Sequence, residues 1–244
     1  MIRSLIFIIY IVLALILLIP CLIVSSFVRD KEETGAPSPV GEWALNILLP
    51  PVEWIIGVIY DYRGEENIPE GPALYVGNHQ SDFDALFIER KLGGFKSAVV
   101  KKELSRIPVF NILLKHMHCI IIDRGDLRQS LKCMNLMQRR LEAGQSEIIF
   151  PEGTRSKGPD MGEFKAGAFK AAIKAGVPVV PFVIDGSYDL FEAQGYLKSA
   201  PVKFSILPPV DTSEPGLKAQ ELSETVKAMI QQELDRLRSE DDAS

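Results

Sequence analysis

Hydrophobic residues are laid along this chain in two different ways. From Leu5 to Val28 they run on almost unbroken, LIFIIYIVLALILLIPCLIVSSFV, 24 residues without a charged side chain. As a helix such a run rises about 36 Å, against a hydrocarbon core of about 30 Å, so the pattern predicts a helix long enough to span a bilayer. The run exceeds the apolar core of a cleavable signal, although Val24-Ser25-Ser26 carries small residues of the kind found at cleavage sites. Pro20 leaves room for a kinked or re-entrant path. After the polar linker RDKEETGAPSP comes a second apolar stretch, Trp43 to Tyr60, interrupted by Glu53 and Pro50-Pro51. With Trp43, Trp54 and Tyr60 it reads as a segment lying in a membrane interface, or as a helix laid over the core. Residues 1–60 are therefore expected to form N-terminal membrane-associated helical segments.

From residue 71 the pattern changes. Short β-branched runs appear at Leu74–Val76, Ala98–Lys101, Cys119–Asp123, Glu147–Phe150, Val179–Ile184 and Val202–Leu207. Helical periodicity fills the gaps, from Leu127 to Ala143 with Leu127, Leu131, Met134 and Leu141, and again from Ala166 to Ala175. Strand and helix in alternation predict an α/β domain over 61–238 with a largely parallel sheet flanked by helices. An amphipathic helix bearing Leu222, Val226, Met229, Ile230 and Leu237 closes the domain, and 239–244 reads as an acidic tail. No internal repeat is present.

Composition alters this picture little. A formal charge of −5 argues against a nucleic-acid partner. Three cysteines, Cys21, Cys119 and Cys133, have neither the number for a disulfide framework nor the spacing of a zinc site. Arg29 and Lys31 follow the first apolar run and only Arg3 precedes it, which places the globular part on the cytoplasmic side.

Polar clusters follow four of the expected strands: Asn78-His79, Lys101-Lys102, Asp123-Arg124 and Glu152-Gly153-Thr154-Arg155. In parallel sheets, active sites gather beyond the carboxyl ends of strands. His79 is followed by Asp82 and Asp84, either of which has the spacing to orient its ring. Ser81 is a plausible helix N-cap, which would put Asp84 at the third helical position as in a capping box. Capping alone also accounts for such a cluster, and spacing does not choose between the two aspartates. No serine or cysteine stands in a nucleophile elbow, so a base at His79 implies direct attack by a substrate hydroxyl or by water. Arg155, Arg124 and Lys101 at neighbouring strand ends point to an anion site. His116 and His118 alternate as if on one strand face, but no metal-binding motif joins them to His79, Asp82 or Asp84, and no metal is expected.

Taken in order, these blocks resemble the glycerolipid acyltransferases with the NHxxxxD motif. Asn78-His79-Gln80-Ser81-Asp82-Phe83-Asp84 resembles the first block. Lys101-Lys102-Glu103-Leu104 through Ile107-Pro108, with Ile122-Asp123-Arg124, is similar to the second. Phe150 to Ser156 resembles the third, and Val177-Pro178-Val179-Val180-Pro181 the fourth. In length and N-terminal apolar segments the chain also resembles the bacterial 1-acyl-sn-glycerol-3-phosphate acyltransferase group. The resemblance implies His79 as general base and Asp84 as its orienting partner. It assigns Lys101, Arg124 and Arg155 to acceptor phosphate binding, and Glu152, Gly153 and Thr154 to the acceptor site. It further implies an acyl-ACP or acyl-CoA co-substrate in place of a cofactor, a lysophospholipid acceptor, and a bacterial inner-membrane location among membrane lipids. Another lysolipid acceptor, such as a lyso-ornithine lipid, is the alternative; a membrane-associated metal hydrolase or a lipid-binding protein stands further off. Backbone amides at the start of the helix after His79 are the expected oxyanion donors. Asn111 stands where many members carry glycine.

Overall fold

Seven strands, counted among the described residues, build one sheet. The computed structural model describes residues 1–25, 39–92, 96–107, 111, 114–123 and 125–242. In chain order the strands are β1 (Val58–Arg63), β2 (Leu74–Gly77), β3 (Ser97–Lys101), β4 (Ile120–Ile122), β5 (Glu147–Ile149), β6 (Val179–Asp185) and β7 (Ala200–Ile206). Across the sheet they stand β1-β7-β6-β2-β5-β3-β4. From β6 to β4 every neighbour is parallel, while β7 runs antiparallel to β6 and carries β1 parallel to itself. The chain is thus an α/β protein with a mostly parallel sheet. The unexpected strand is β1, hidden at the end of the apolar run 43–60. The break that separates it from the preceding helix is Gly57, whose φ of 77° is one that a side chain disfavours.

The helices among the described residues include α1 (Ile2–Ser25), α2 (Pro39–Ile56), α3 (Asp84–Lys91), α4 (Leu127–Glu142), α5 (Phe169–Ala175) and α6 (Ala219–Asp242). Alternation along β2 divides the core between two faces. Leu74 and Val76 pack with Met137 and Leu141 of α4, Phe169 of α5, and Val226, Ile230 and Leu234 of α6. Tyr75 packs on the other face with Val52 and Ile56 of α2, Phe87 and Ile88 of α3, and Phe182 and Phe204. Helix α4 starts where it does because the Asp126 side chain accepts from the Arg128 and Gln129 amides. Helix α6 continues through Asp242 instead of ending before an acidic tail, and Glu240 in its last turns pairs with Arg63 of β1 at 2.8 Å.

The N-terminal segments fold back on each other. Arg3 donates to the carbonyls of Trp54 and Ile55, and the Tyr10 hydroxyl donates to that of Leu48, so α1 runs antiparallel to α2. Phe7 of α1 meets Phe83 edge-on at 6.0 Å between centroids. Leu5, Ile9, Leu13, Ile16 and Leu17 of α1 and Trp43, Ile47 and Trp54 of α2 are exposed. The expectation of a membrane-crossing helix over 5–28 finds no support: α1 ends at Ser25, 26–28 lie outside the described residues, and among the described residues no helix is long and apolar enough to cross a membrane. Since β1 runs opposite to β2, the α1/α2 pair reaches the sheet at the edge where the parallel strands end.

Candidate active site

The site begins where β2 ends. A Cβ at Gly77 would collide with the Phe182 ring of β6, so only glycine fits that close crossing. Asn78 then takes over from the backbone ladder. Its buried amide donates to the Ile184 carbonyl at 2.7 Å and its carbonyl accepts from the Ile184 amide at 2.9 Å. The main chain is thereby free to turn away from β6 without leaving either Ile184 group unpaired.

The turn delivers His79, which is held on every side. Its amide donates to Glu152 Oε1 at 2.7 Å, its carbonyl accepts from the Ser156 amide at 2.8 Å, and its ring stacks on Phe150 at 4.0 Å. Ring Nδ1 lies 2.9 Å from Asp84 Oδ2. A carboxylate accepts, so in the neutral ring this contact puts the hydrogen on Nδ1 and leaves the lone pair on Nε2. The Asp84 side chain is fully buried. The same Oδ2 accepts from the amides of Gln80 at 2.7 Å and Ser81 at 2.9 Å.

One local expectation is corrected. Ser81 is not the helix N-cap: α3 opens at Asp84 itself, and Ser81 Oγ instead accepts from the Phe83 amide in the turn before it. The amides from Gln80 to Asp84 are also engaged. Those of Gln80 and Ser81 are spent on Asp84, that of Asp82 on Glu192, that of Phe83 on Ser81 Oγ and that of Asp84 on the Ser81 carbonyl.

Glu152 follows β5, next to β2 in the sheet, and spends both oxygens on backbone: Oε1 on His79, Oε2 on the Gly162 amide at 2.8 Å. Burial pushes its carboxyl up from the ordinary value, with the Gly162 and His79 amides pulling the other way. Gly153 has φ 71°, and a Cβ there would come within 2.9 Å of Lys165 Nζ. Thr154 is exposed. Arg155 Nη1 donates to Asp82 Oδ2 at 2.5 Å and to Glu192 Oε1 at 3.1 Å. Lys101 ends β3, exposed, with Glu103 at 3.7 Å. Lys102 pairs with Asp123 beyond β4 at 2.8 Å and holds that carboxyl below the usual carboxylate range. Arg124 lies outside the described residues. The sheet order therefore lines up His79, the Glu152–Arg155 loop, Lys101 and Asp123 along adjacent strand ends.

His116 and His118 do not share a strand face. Both are buried ahead of β4, and His118 takes a left-handed φ of 49° in the turn where its carbonyl accepts from Ser97 and Arg140. Among the described residues no group of three or more His, Cys, Asp or Glu is placed to hold a metal ion. Sequence reasoning overlooked three contributors: Asn78 as a substitute for strand pairing, Phe150 as the platform under the imidazole, and Glu192. Only the adjacency of Asn78 to a strand end was a signal; Glu192 sits among ordinary loop residues.

Comparison with known proteins bears on this geometry. A model of the Acyltransferase family matches residues 60–185, which include every site residue named above except Glu192. The chain is similar to a probable 1-acyl-sn-glycerol-3-phosphate acyltransferase of Mycoplasma pneumoniae, 31% identical over 78% of this chain and 76% of that protein. It is 33% identical to the 1-acyl-sn-glycerol-3-phosphate acyltransferase of Haemophilus influenzae, over 78% of this chain and 77% of the other. The crystal structure of the 1-acyl-sn-glycerophosphate acyltransferase PlsC from Thermotoga maritima superimposes with a TM-score of 0.72 at 25% identity, covering 97% of both chains.

Proposed function

This chain belongs to the acyltransferase family, and from that premise we infer that it acylates the sn-2 hydroxyl of 1-acyl-sn-glycerol-3-phosphate to give phosphatidic acid. The observation that carries the reading is the His79–Asp84 contact at 2.9 Å, set at a sheet edge beside Arg155. The acceptor hydroxyl gives its proton to His79 Nε2 as its oxygen attacks the carbonyl of an acyl thioester. Asp84 stabilises the imidazolium that forms. Collapse of the tetrahedral intermediate expels the thiolate, which recovers the proton from the imidazolium. No protein nucleophile takes part. Arg155, Lys101 and Arg124 bind the acceptor phosphate, Gly153 and Thr154 line the acceptor site, and Glu152 holds that loop against His79. Fixing the phosphate at one end and the base at the other presents the hydroxyl in a near-attack geometry.

The acyl donor is acyl-ACP or acyl-CoA, and no cofactor is required. The exposed apolar residues of α1 and α2 sit in the membrane surface with the catalytic domain on its cytoplasmic side. An acceptor then reaches the sheet edge without its acyl chain crossing water. Flotation with lipid vesicles checks this placement: wild type floats, and Leu13→Glu/Leu17→Glu stays largely at the bottom. Equal flotation of the two would remove the hairpin from the membrane.

The activity is tested with purified protein in detergent, both donors and a panel of lysolipids. Phosphatidic acid formed from 1-acyl-sn-glycerol-3-phosphate in preference to the other products is the expected result. Faster acylation of an acceptor lacking a phosphate monoester, such as a lyso-ornithine lipid, would replace the acceptor while keeping the chemistry.

A further inference from the structure

The two carboxylates that hold Arg155 differ in a way that matters. The Glu192 side chain is 3% exposed and that of Asp82 is 68% exposed. Glu192 Oε1 also accepts the Asp82 amide at 2.9 Å. Among the described residues, Glu192 Oε2 is buried without a hydrogen-bond partner. That carboxylate depends on the guanidinium for compensation, and pulling Arg155 away would strand a buried charge. Asp82 can return to water at little cost, because an exposed ion pair is worth little. An anion competing for Arg155 therefore displaces Asp82 and leaves Glu192 in place. Both carboxylates fall on Nη1, so the rest of the guanidinium fork faces no carboxylate among the described residues.

We propose that Glu192 and Asp82 form a two-part rest for the Arg155 guanidinium, Glu192 as a fixed positioning residue and Asp82 as a latch that the acceptor's phosphate displaces. The inference rests on the reading of Arg155 as the phosphate anchor. Two carboxylates on one guanidinium leave the resting site with a net negative charge. A phosphate group carries the charge to take the place of Asp82, whereas an uncharged glycerol does not. The latch thus lowers the affinity of every ligand that must displace it by a common factor and leaves a ligand that does not use Arg155 unaffected. It also ties the anchor to the base, because Asp82 lies between His79 and Asp84 and its amide rests on Glu192.

The test uses the full-length protein in detergent micelles and compares wild type with Asp82→Asn, Arg155→Ala and Glu192→Gln. Three ligands are measured: KM for 1-acyl-sn-glycerol-3-phosphate, and inhibition constants against it for lysophosphatidylglycerol and phosphate-free 1-acylglycerol. Asp82→Asn should tighten both phosphorylated ligands by about two- to fivefold, in keeping with an exposed ion pair, and leave phosphate-free 1-acylglycerol unchanged. Glu192→Gln should raise KM for the monoester more than it lowers kcat. Arg155→Ala should weaken both phosphorylated ligands and spare the phosphate-free one. If Arg155→Ala weakens all three equally, the phosphate anchor itself is wrong. If Arg155→Ala is selective but Asp82→Asn tightens neither phosphorylated ligand, or tightens the phosphate-free one as much, the latch is overturned. Asp82 is exposed, so its variant decides the matter even if Glu192→Gln does not fold.

Discussion

At the residue scale the site is an imidazole whose every freedom has been removed. Asp84 is fully buried and accepts three hydrogens on one oxygen, from the His79 ring and from two amides. Replacing it with asparagine keeps the shape but offers an amide that can also donate, so the wrong tautomer of His79 becomes accessible. We expect Asp84→Asn to lower kcat by about 10⁴-fold, as loss of the orienting carboxylate does in a serine-protease triad. Steady-state kinetics beside circular dichroism measures this, and a kcat within tenfold of wild type would show that the contact orients nothing. The pair was only half legible in the sequence. Residue spacing left Asp82 and Asp84 as equals, and resemblance favoured Asp84; the physical difference is that Asp84 turns back onto the loop amides while Asp82 faces solvent and Arg155. The capping-box template misled for a related reason. It places the carboxylate in a helix that a serine has capped, whereas here the carboxylate itself collects the donors at the helix start.

The elements explain why His79 stands at the edge of the sheet. Strand β2 lies between β6 and β5, and its last hydrogen bonds to β6 are made by the Asn78 side chain, not by backbone. Asn78→Ala would leave a buried Ile184 amide and carbonyl unpaired, at a cost of about 1–3 kcal/mol for each. Denaturant unfolding should show that loss of stability together with reduced kcat, since the turn that carries His79 loosens. Stability unchanged within about 0.5 kcal/mol would mean that water or backbone replaces the amide. Most strands were readable from β-branched runs ending in polar clusters. Strand β1 was not, because its apolar residues continue those of α2 and the only punctuation is Gly57, which looks unremarkable in a list of residues. The register that brings the Glu152 loop beside His79 was equally out of reach, because a sequence states which strands exist but not which are neighbours.

In the whole molecule, chemistry and structural charge occupy opposite edges of the sheet. The five mutually parallel strands end at the edge that carries His79. At the other, buried Arg140 of α4 donates to Ser97 at the start of β3, to the His118 carbonyl before β4, and to Glu147 at the start of β5. Burial outweighs the Arg140 charge and pushes the Glu147 carboxyl from an ordinary 4.5 up to about 7. The folded state therefore holds this proton over a range where the unfolded chain has lost it. Its contribution to stability is complete below about pH 4.5 and is lost as pH rises through about 7. Glu147→Gln should flatten this part of the profile, so that thermal midpoints of variant and wild type diverge between about pH 5 and about pH 8, the variant falling less. Parallel curves would show that Glu147 is ionised throughout. The account as a whole turns on His79 at the catalytic edge. The measurement that tests it most directly is phosphatidic acid formation from 1-acyl-sn-glycerol-3-phosphate and an acyl thioester by wild type and His79→Ala, with thermal unfolding of both recorded in the same buffer. The account predicts turnover by wild type and a loss of about 10²-fold or more in the variant at an unchanged midpoint; a folded variant that still transfers the acyl group at the wild-type rate would contradict it.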